Sequence, residues 1–143
     1  MATGLDAEII DDLVLAYKIL VNEAVLDSFG HVSARSPSNP EHFLLPRAMP
    51  PSLVEADDVL ELSVETSQPV DPRGRRTNGE RYLHGEIYKA RPDVNAVVHS
   101  HSQAVIPFSL TGVALRPVIV HAVVMPLTIP NFEIRDVGGD GRG

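Results

Sequence analysis

The chain has 143 residues, 43% hydrophobic and 22% charged, with 5% aromatic residues and no tryptophan, so an ordinary, mostly aliphatic core is affordable for one domain. Acidic residues outnumber basic ones 19 to 12, giving a net charge of −7, which argues against nucleic acid as a partner. There is no cysteine, which excludes disulfides and thiolate metal sites. No apolar run approaches the roughly 18–20 residues needed to span a membrane. The N-terminus is acidic and lacks a basic n-region, so a cytoplasmic protein with no membrane partner is expected.

Apolar residues at Ile9, Ile10, Leu13, Val14, Tyr17, Leu20, Val21 and Val25 recur at helical spacing. They predict an amphipathic helix, with Asp6 as N-cap and Phe29-Gly30 as its stop. Strands are expected at 31–35 and 42–45, separated by a turn over Ser36–Pro40. Ser52 and Glu55 stand at capping-box spacing, predicting a short helical turn to Asp58. Strands at 59–64 and 68–71 follow, then an exposed loop over 72–79. A second helix, 80–91, is capped by Asn78 or Thr77 and stopped by Pro92. Leu83, Ile87 and Ala90 would form its apolar stripe. The run 96–101 reads as a buried strand, 103–110 as a short helix ended by Gly112, and 117–124 and 129–134 as two further strands. Residues 137–143 read as a flexible tail after a single domain over 1–136, because four glycines fall in the last eight residues. This order predicts an α/β fold of α+β-like, three-layer type with a mostly antiparallel sheet.

The strongest chemical signal is His99-Ser100-His101. On a strand, residues two apart share a face, so two imidazoles can converge on one metal ion. Two hydrogen-bonded core histidines would give the same pattern. Glu80 lies in the first turn of the preceding helix, where a carboxylate also suits the helix dipole. Two histidines and a carboxylate form a recognised divalent-metal set, more suited to zinc, manganese or cobalt than to magnesium. Ser100 and Ser102 would point to the other face. His84 reads as an exposed or hydrogen-bonded histidine and Tyr88 as a packed residue, and His42 has no expected chemistry. Arg73, Arg75 and Arg76 read as a solvated loop or a subunit contact.

Asn78-Gly79-Glu80, then Leu83-His84, then the run from Tyr88 to His101 resembles the core signature of class II aldolase/adducin proteins, including the 19-residue step from Glu80 to His99. The resemblance extends from the first helix to Asp136. It implies a central antiparallel sheet flanked by helices, a homotetramer, and Glu80, His99 and His101 as ligands of one divalent metal ion. It also implies Glu80 as acid/base. The family's phosphate-binding turns correspond to Gly30-His31, Arg47-Ala48 and Asn78-Gly79, where phosphate-cradling donors are largely absent. His31, Arg47 and Asn78 are therefore expected to meet a carboxylate substrate. This pattern, with Phe29–Ser33 and Leu45-Pro46-Arg47, is similar to the branch that decarboxylates hydroxylated aromatic or pyridine dicarboxylates. His121 is expected to supply a proton. The alternatives are an aldolase acting on an unphosphorylated hydroxy-keto acid or sugar-like substrate, and an adducin-like assembly module or inactive truncated form. The resemblance also implies a later segment with a third histidine ligand, so the domain is expected to be incomplete at its C-terminus.

Overall fold

The computed structural model describes residues 4–133, which fall into two compact units divided between Ser102 and Gln103. The expected tail over 137–143 and the end of the last expected strand, Ile134, lie outside the described residues.

In the first unit the elements are α1 (Gly4–Asn22), β1 (His31–Arg35), β2 (His42–Pro46), β3 (Val59–Ser63), α2 (Arg81–Ala90) and β4 (Ala96–His99). The strands form one antiparallel sheet in the order β3-β2-β1-β4. Their two faces follow from strand alternation. Leu44 and Val32 point to one face and meet Leu13 and Tyr17 of α1 with Leu26, Val54 and Val59. Phe43, Leu45, Leu60 and Leu62 point to the other and meet Val64 and Tyr88 of α2. The result is a three-layer α/β arrangement, as the order of elements predicts. Among the described residues no helix is long and apolar enough to cross a membrane.

Several boundaries differ from expectation. Asp6 lies within the first turn of α1, not before it, because its buried carboxylate accepts hydrogen bonds from Ser36 (2.7 Å) and Ser38 after β1. The helix stops at Asn22, well before Phe29-Gly30, where Ala24 takes a left-handed conformation (φ 55°) and the Val25 and Leu26 amides turn back to the Leu20 carbonyl. The helical segment after β2 is two 3-10 turns, Pro51–Leu53 and Ala56–Asp58, and its capping box joins Glu55 to Asp58 rather than Ser52 to Glu55. The strand expected at 68–71 is reduced to a bridge between Leu62 and Pro69, since proline has no N–H to extend a ladder. Arg73 and Arg75 lie in an exposed loop, as expected, and pair there with the exposed Asp57. Strand β4 ends at His99 and is a part-exposed edge, with Val98 51% exposed.

The second unit holds α3 (Ile106–Leu110) and a 3-10 turn at Val120–Val124. The strands expected at 117–124 and 129–134 are absent from its described residues. Pro117, Pro126 and Pro130 punctuate these runs, each removing a ladder donor, and no neighbouring strand supplies a partner.

The face of α2 that meets the sheet is the reverse of the expected one. Leu83 and Ile87 are 47% and 40% exposed, whereas His84, Gly85 and Tyr88 are buried. The interface is polar: Ser33 Oγ lies 2.6 Å from His84 Nδ1 and 2.8 Å from the Tyr88 hydroxyl. Tyr88 also packs on Phe43 (5.3 Å between ring centroids) and lies beneath the Arg35 guanidinium (4.7 Å). Arg35 donates to the Tyr88 and Arg91 carbonyls at 3.0 and 3.2 Å, satisfying acceptors that a helix C-terminus leaves open. On the opposite face the Tyr17 hydroxyl both accepts from Val32 N–H (2.7 Å) and donates to Val32 C=O (3.0 Å), fastening α1 to β1.

Gly85 sits mid-helix, where glycine costs about 1 kcal/mol relative to alanine. Its use is space: a Cβ there would lie 2.0 Å from Ser67 Oγ and 3.2 Å from Ser67 Cβ. Ser67 is itself buried and held at φ 55°. Gly85→Ala should therefore destabilise the fold by about 1–3 kcal/mol despite its better helix propensity. Urea denaturation reads this, and an unchanged or raised midpoint would show that Ser67 yields freely.

Burial pushes the His84 imidazole down from 6.5 to about 3. In the unfolded chain it titrates near the ordinary value, so between the two the unfolded state binds the extra proton. Stability from this residue is full above pH 6.5 and declines as pH falls toward 3. With a chelator present, the wild-type urea midpoint should drop between about pH 7.5 and about pH 5, and His84→Gln should show a smaller drop. Equal slopes would remove His84 from the acid sensitivity.

Candidate metal centre

Three backbone segments converge at the end of the sheet nearest the α2 N-terminus. His31 opens β1 and is paired across the ladder with His99, the last residue of β4. Directly opposed residues on antiparallel strands share a face, and these two rings stack at 4.7 Å with 23° between their planes. Glu80 occupies the N-cap position of α2, where Asn78 Oδ1 accepts its backbone N–H at 2.8 Å. The glutamate side chain turns toward the histidines. Its Oε2 is 3.0 Å from His31 Nε2 and 3.5 Å from His99 Nε2. One donor atom from each of His31, Glu80 and His99 lies within 4.8 Å of the others.

His101 lies just past the end of β4, so strand alternation alone does not aim it. Its Nε2 nevertheless stands 3.1 Å from His99 Nε2, with the rings edge to face. The aiming comes from Asp27, which the sequence reading passed over. Asp27 accepts from the Phe29 and Gly30 amides at 2.9 Å and faces His101 Nδ1 at 3.2 Å. Those amides, chiefly that of Phe29, hold its carboxyl below the usual range. A carboxylate on Nδ1 fixes the tautomer that turns a lone pair outward on Nε2. The signal was Asp27 two residues before Phe29-Gly30, an Asx-turn spacing. Gly30 leaves the needed room, since a Cβ there would meet Leu26 Cδ2 at 2.7 Å and the His99 carbonyl at 3.1 Å.

Two imidazoles and a carboxylate are a chemistry that suits a divalent ion, whose bonds of about 2.0–2.1 Å at tetrahedral angles separate two donors by about 3.3 Å. The His99–His101 and His99–Glu80 separations are 3.1 and 3.5 Å, while the group whose donor atoms all lie within 4.8 Å of one another is His31, Glu80 and His99. The His31 hydrogen bond leads the causes that hold the Glu80 carboxyl below its usual range, so the glutamate is an anion ready to coordinate.

The other expected site residues lie as follows. His31 is buried, with both ring nitrogens engaged: Nε2 by Glu80 and Nδ1 by His84 at 2.6 Å. Burial is also the main cause lowering its pKa. Asn78 supports the Glu80 backbone. Arg47, just beyond β2, gives its Nε–H to Asp58 at 2.7 Å, and none of its described hydrogen bonds reaches the histidines. His121 stands exposed in the 3-10 turn of the second unit.

The chain is similar to several known proteins. The chain is 38% identical over 117 residues to the decarboxylase tropJ of Talaromyces stipitatus, covering 81% of this chain and 44% of that protein. It is 30% identical over 116 residues to 3,4-dihydroxyphthalate decarboxylase of Arthrobacter keyseri, covering 75% and 46%. Among solved structures, L-fuculose 1-phosphate aldolase from Glaciozyma antarctica superposes with a TM-score of 0.67 at 30% identity, over 78% of this chain and 47% of that one. The chain thus spans less than half the length of each of these relatives. Residues 11–139 match the model of the class II aldolase and adducin N-terminal domain, and the chain belongs to that family.

Proposed function

We propose that this chain carries the metal-holding part of a carbon–carbon lyase, a decarboxylase of a hydroxylated aromatic or heteroaromatic carboxylate, working as a homo-oligomer. The observation that carries this reading is the approach of His99 Nε2 to His101 Nε2 at 3.1 Å and to Glu80 Oε2 at 3.5 Å, in a chain whose relatives include a decarboxylase and a 3,4-dihydroxyphthalate decarboxylase.

Glu80, His99 and His101 are the proposed ligands. A divalent ion bound there supplies Lewis-acid stabilisation of the negative charge that develops on a substrate oxygen as carbon dioxide departs. Asp27 keeps the His101 ring turned toward the shared point, and His31 keeps Glu80 from swinging away. Arg47, of which Asp58 takes the Nε–H, is proposed to offer its remaining donors to a second carboxylate of the substrate. The histidine at position 31 and the arginine at 47 replace the hydroxyl and amide donors that would suit a phosphate. That difference favours an unphosphorylated acid over a sugar phosphate. Aldol cleavage of an unphosphorylated hydroxy-keto acid uses related chemistry and is the second reading, favoured by the structural likeness to an aldolase.

Elemental mass spectrometry of the purified chain should find about one divalent ion per protein molecule, lost in a His99→Ala variant that keeps its circular dichroism spectrum. A folded wild-type protein that holds no ion after dialysis against zinc, manganese or cobalt would sink the metal assignment.

Offered 3,4-dihydroxyphthalate beside an unphosphorylated hydroxy-keto acid, the loaded protein should release carbon dioxide from the first and little aldehyde from the second. The reverse result would move the assignment to the aldolase reading.

A further inference from the structure

A buried chain of hydrogen bonds runs from the α2–sheet interface to Glu80. The Tyr88 hydroxyl is 2.8 Å from Ser33 Oγ, which is 2.6 Å from His84 Nδ1. His84 Nε2 is 2.6 Å from His31 Nδ1, and His31 Nε2 is 3.0 Å from Glu80 Oε2. Tyr88, Ser33, His84 and His31 are all at most 2% exposed, and no buried polar side-chain atom is left without a partner among the described residues.

The direction of these bonds follows from donor counting. Glu80, as a carboxylate, only accepts, so His31 Nε2 carries the hydrogen. A neutral His31 then accepts at Nδ1, so His84 Nε2 must donate. A neutral His84 accepts at Nδ1, so the Ser33 hydroxyl donates there. Serine has one proton, and it is now used, so Ser33 accepts from the Tyr88 hydroxyl. Counting from the other end gives the same answer, because Ser33 is the acceptor within reach of the buried Tyr88 proton. Every bond points the same way, from Tyr88 to Glu80.

We propose that Ser33 and His84 are positioning residues for Glu80, acting through His31, whose Nε2–H tautomer they support from one end as the Glu80 carboxylate does from the other, with Tyr88 holding the Ser33 hydroxyl in place. The set is not a proton conduit: shifting every proton toward Glu80 would leave a buried tyrosinate, and burial already pushes the Tyr88 hydroxyl up to about 12. Without the Ser33 proton, His84 is free to carry its hydrogen on Nδ1. Its Nε2 then becomes an acceptor, His31 follows, and a lone pair of His31 faces the Glu80 carboxylate. The glutamate loses its anchor and rotates away from His99. The effect on metal retention rests on the proposed ligand set, whereas the tautomers do not.

Two measurements separate these claims. Long-range 15N–1H NMR of the metal-free wild-type chain reads histidine tautomers directly, and His31 and His84 should both be Nε2–H. An Nδ1–H or cationic form at either residue would overturn the proposal, whether or not the protein binds metal. In Ser33→Ala, His31 should shift toward Nδ1–H, and cobalt affinity should fall about 10- to 100-fold. Tyr88→Phe, which leaves the Ser33 proton in place, should keep both tautomers and lose less than Ser33→Ala. Unchanged His31 and His84 tautomers in a folded Ser33→Ala would also overturn the proposal. Wild-type tautomers as stated, with no cobalt bound by any form, would instead reject the metal reading and leave the positioning of Glu80 standing.

Discussion

The polar seam between α2 and β1 is the constraint on which the rest of the first unit depends. An apolar helix–sheet contact tolerates sliding, because one aliphatic contact replaces another at little cost. A seam built from Ser33, His84 and Tyr88 does not. If α2 slid by one turn, His84 would leave Ser33 and a buried imidazole would stand without partners. The cost is of the order of 1–3 kcal/mol for each polar group stranded. Gly85 enforces the same register sterically, since a side chain there would run into Ser67. Arg35 anchors the far end of the helix by binding its last carbonyls. With register and depth fixed, the N-terminus of α2 has one place to be, and Glu80 is carried there.

The candidate centre inherits its geometry from three separate devices. The β1–β4 ladder places His99 opposite His31, a position set by backbone pairing alone. The turn after α1 places Asp27, whose carboxylate is pinned by two amides before it meets His101. The seam places Glu80. His99 and His101 come together through their two-residue spacing and the Asp27 contact, and the approach of Glu80 to His99 at 3.5 Å depends on the seam and the ladder being in register at once.

The fold was legible where composition and helical spacing speak plainly. The strands over 31–35, 42–46 and 59–63 were readable from their composition, and the α1 stripe from its 3–4 spacing. The reading failed on α2 because it assumed that the apolar stripe faces inward. Leu83 and Ile87 face out, and the buried face is made of histidine, glycine and tyrosine, whose burial depends on partners far along the chain. Donor and acceptor matching over a separation of 51 residues leaves no periodic trace. The runs over 117–124 and 129–134 failed differently. Strand composition records a tendency, but a strand exists only beside another. At the site, Glu80 and the His99/His101 pair were readable from spacing and resemblance. Asp27 was not, because a turn aspartate bonding its own backbone is the ordinary role of that residue, and its second bond appears only once His101 is in place.

The balance of charge explains why such a cluster suits a cation. Glu80 and Asp27 are both held below the usual carboxylate range, so both enter the site as anions. Each already takes hydrogen bonds on one side: Glu80 from His31, and Asp27 from the Phe29 and Gly30 amides. With Asp27 on Nδ1 of His101, the remaining ring nitrogen presents a lone pair toward His99 Nε2. Glu80 Oε2 stands 3.5 Å from His99 Nε2 on a half-exposed side chain, and in the proposed site a divalent cation would be met by both imidazoles and this carboxylate together. The seam contributes to this balance too. By delivering the His31 Nε2–H to Glu80 Oε2, it fixes where the carboxylate stands.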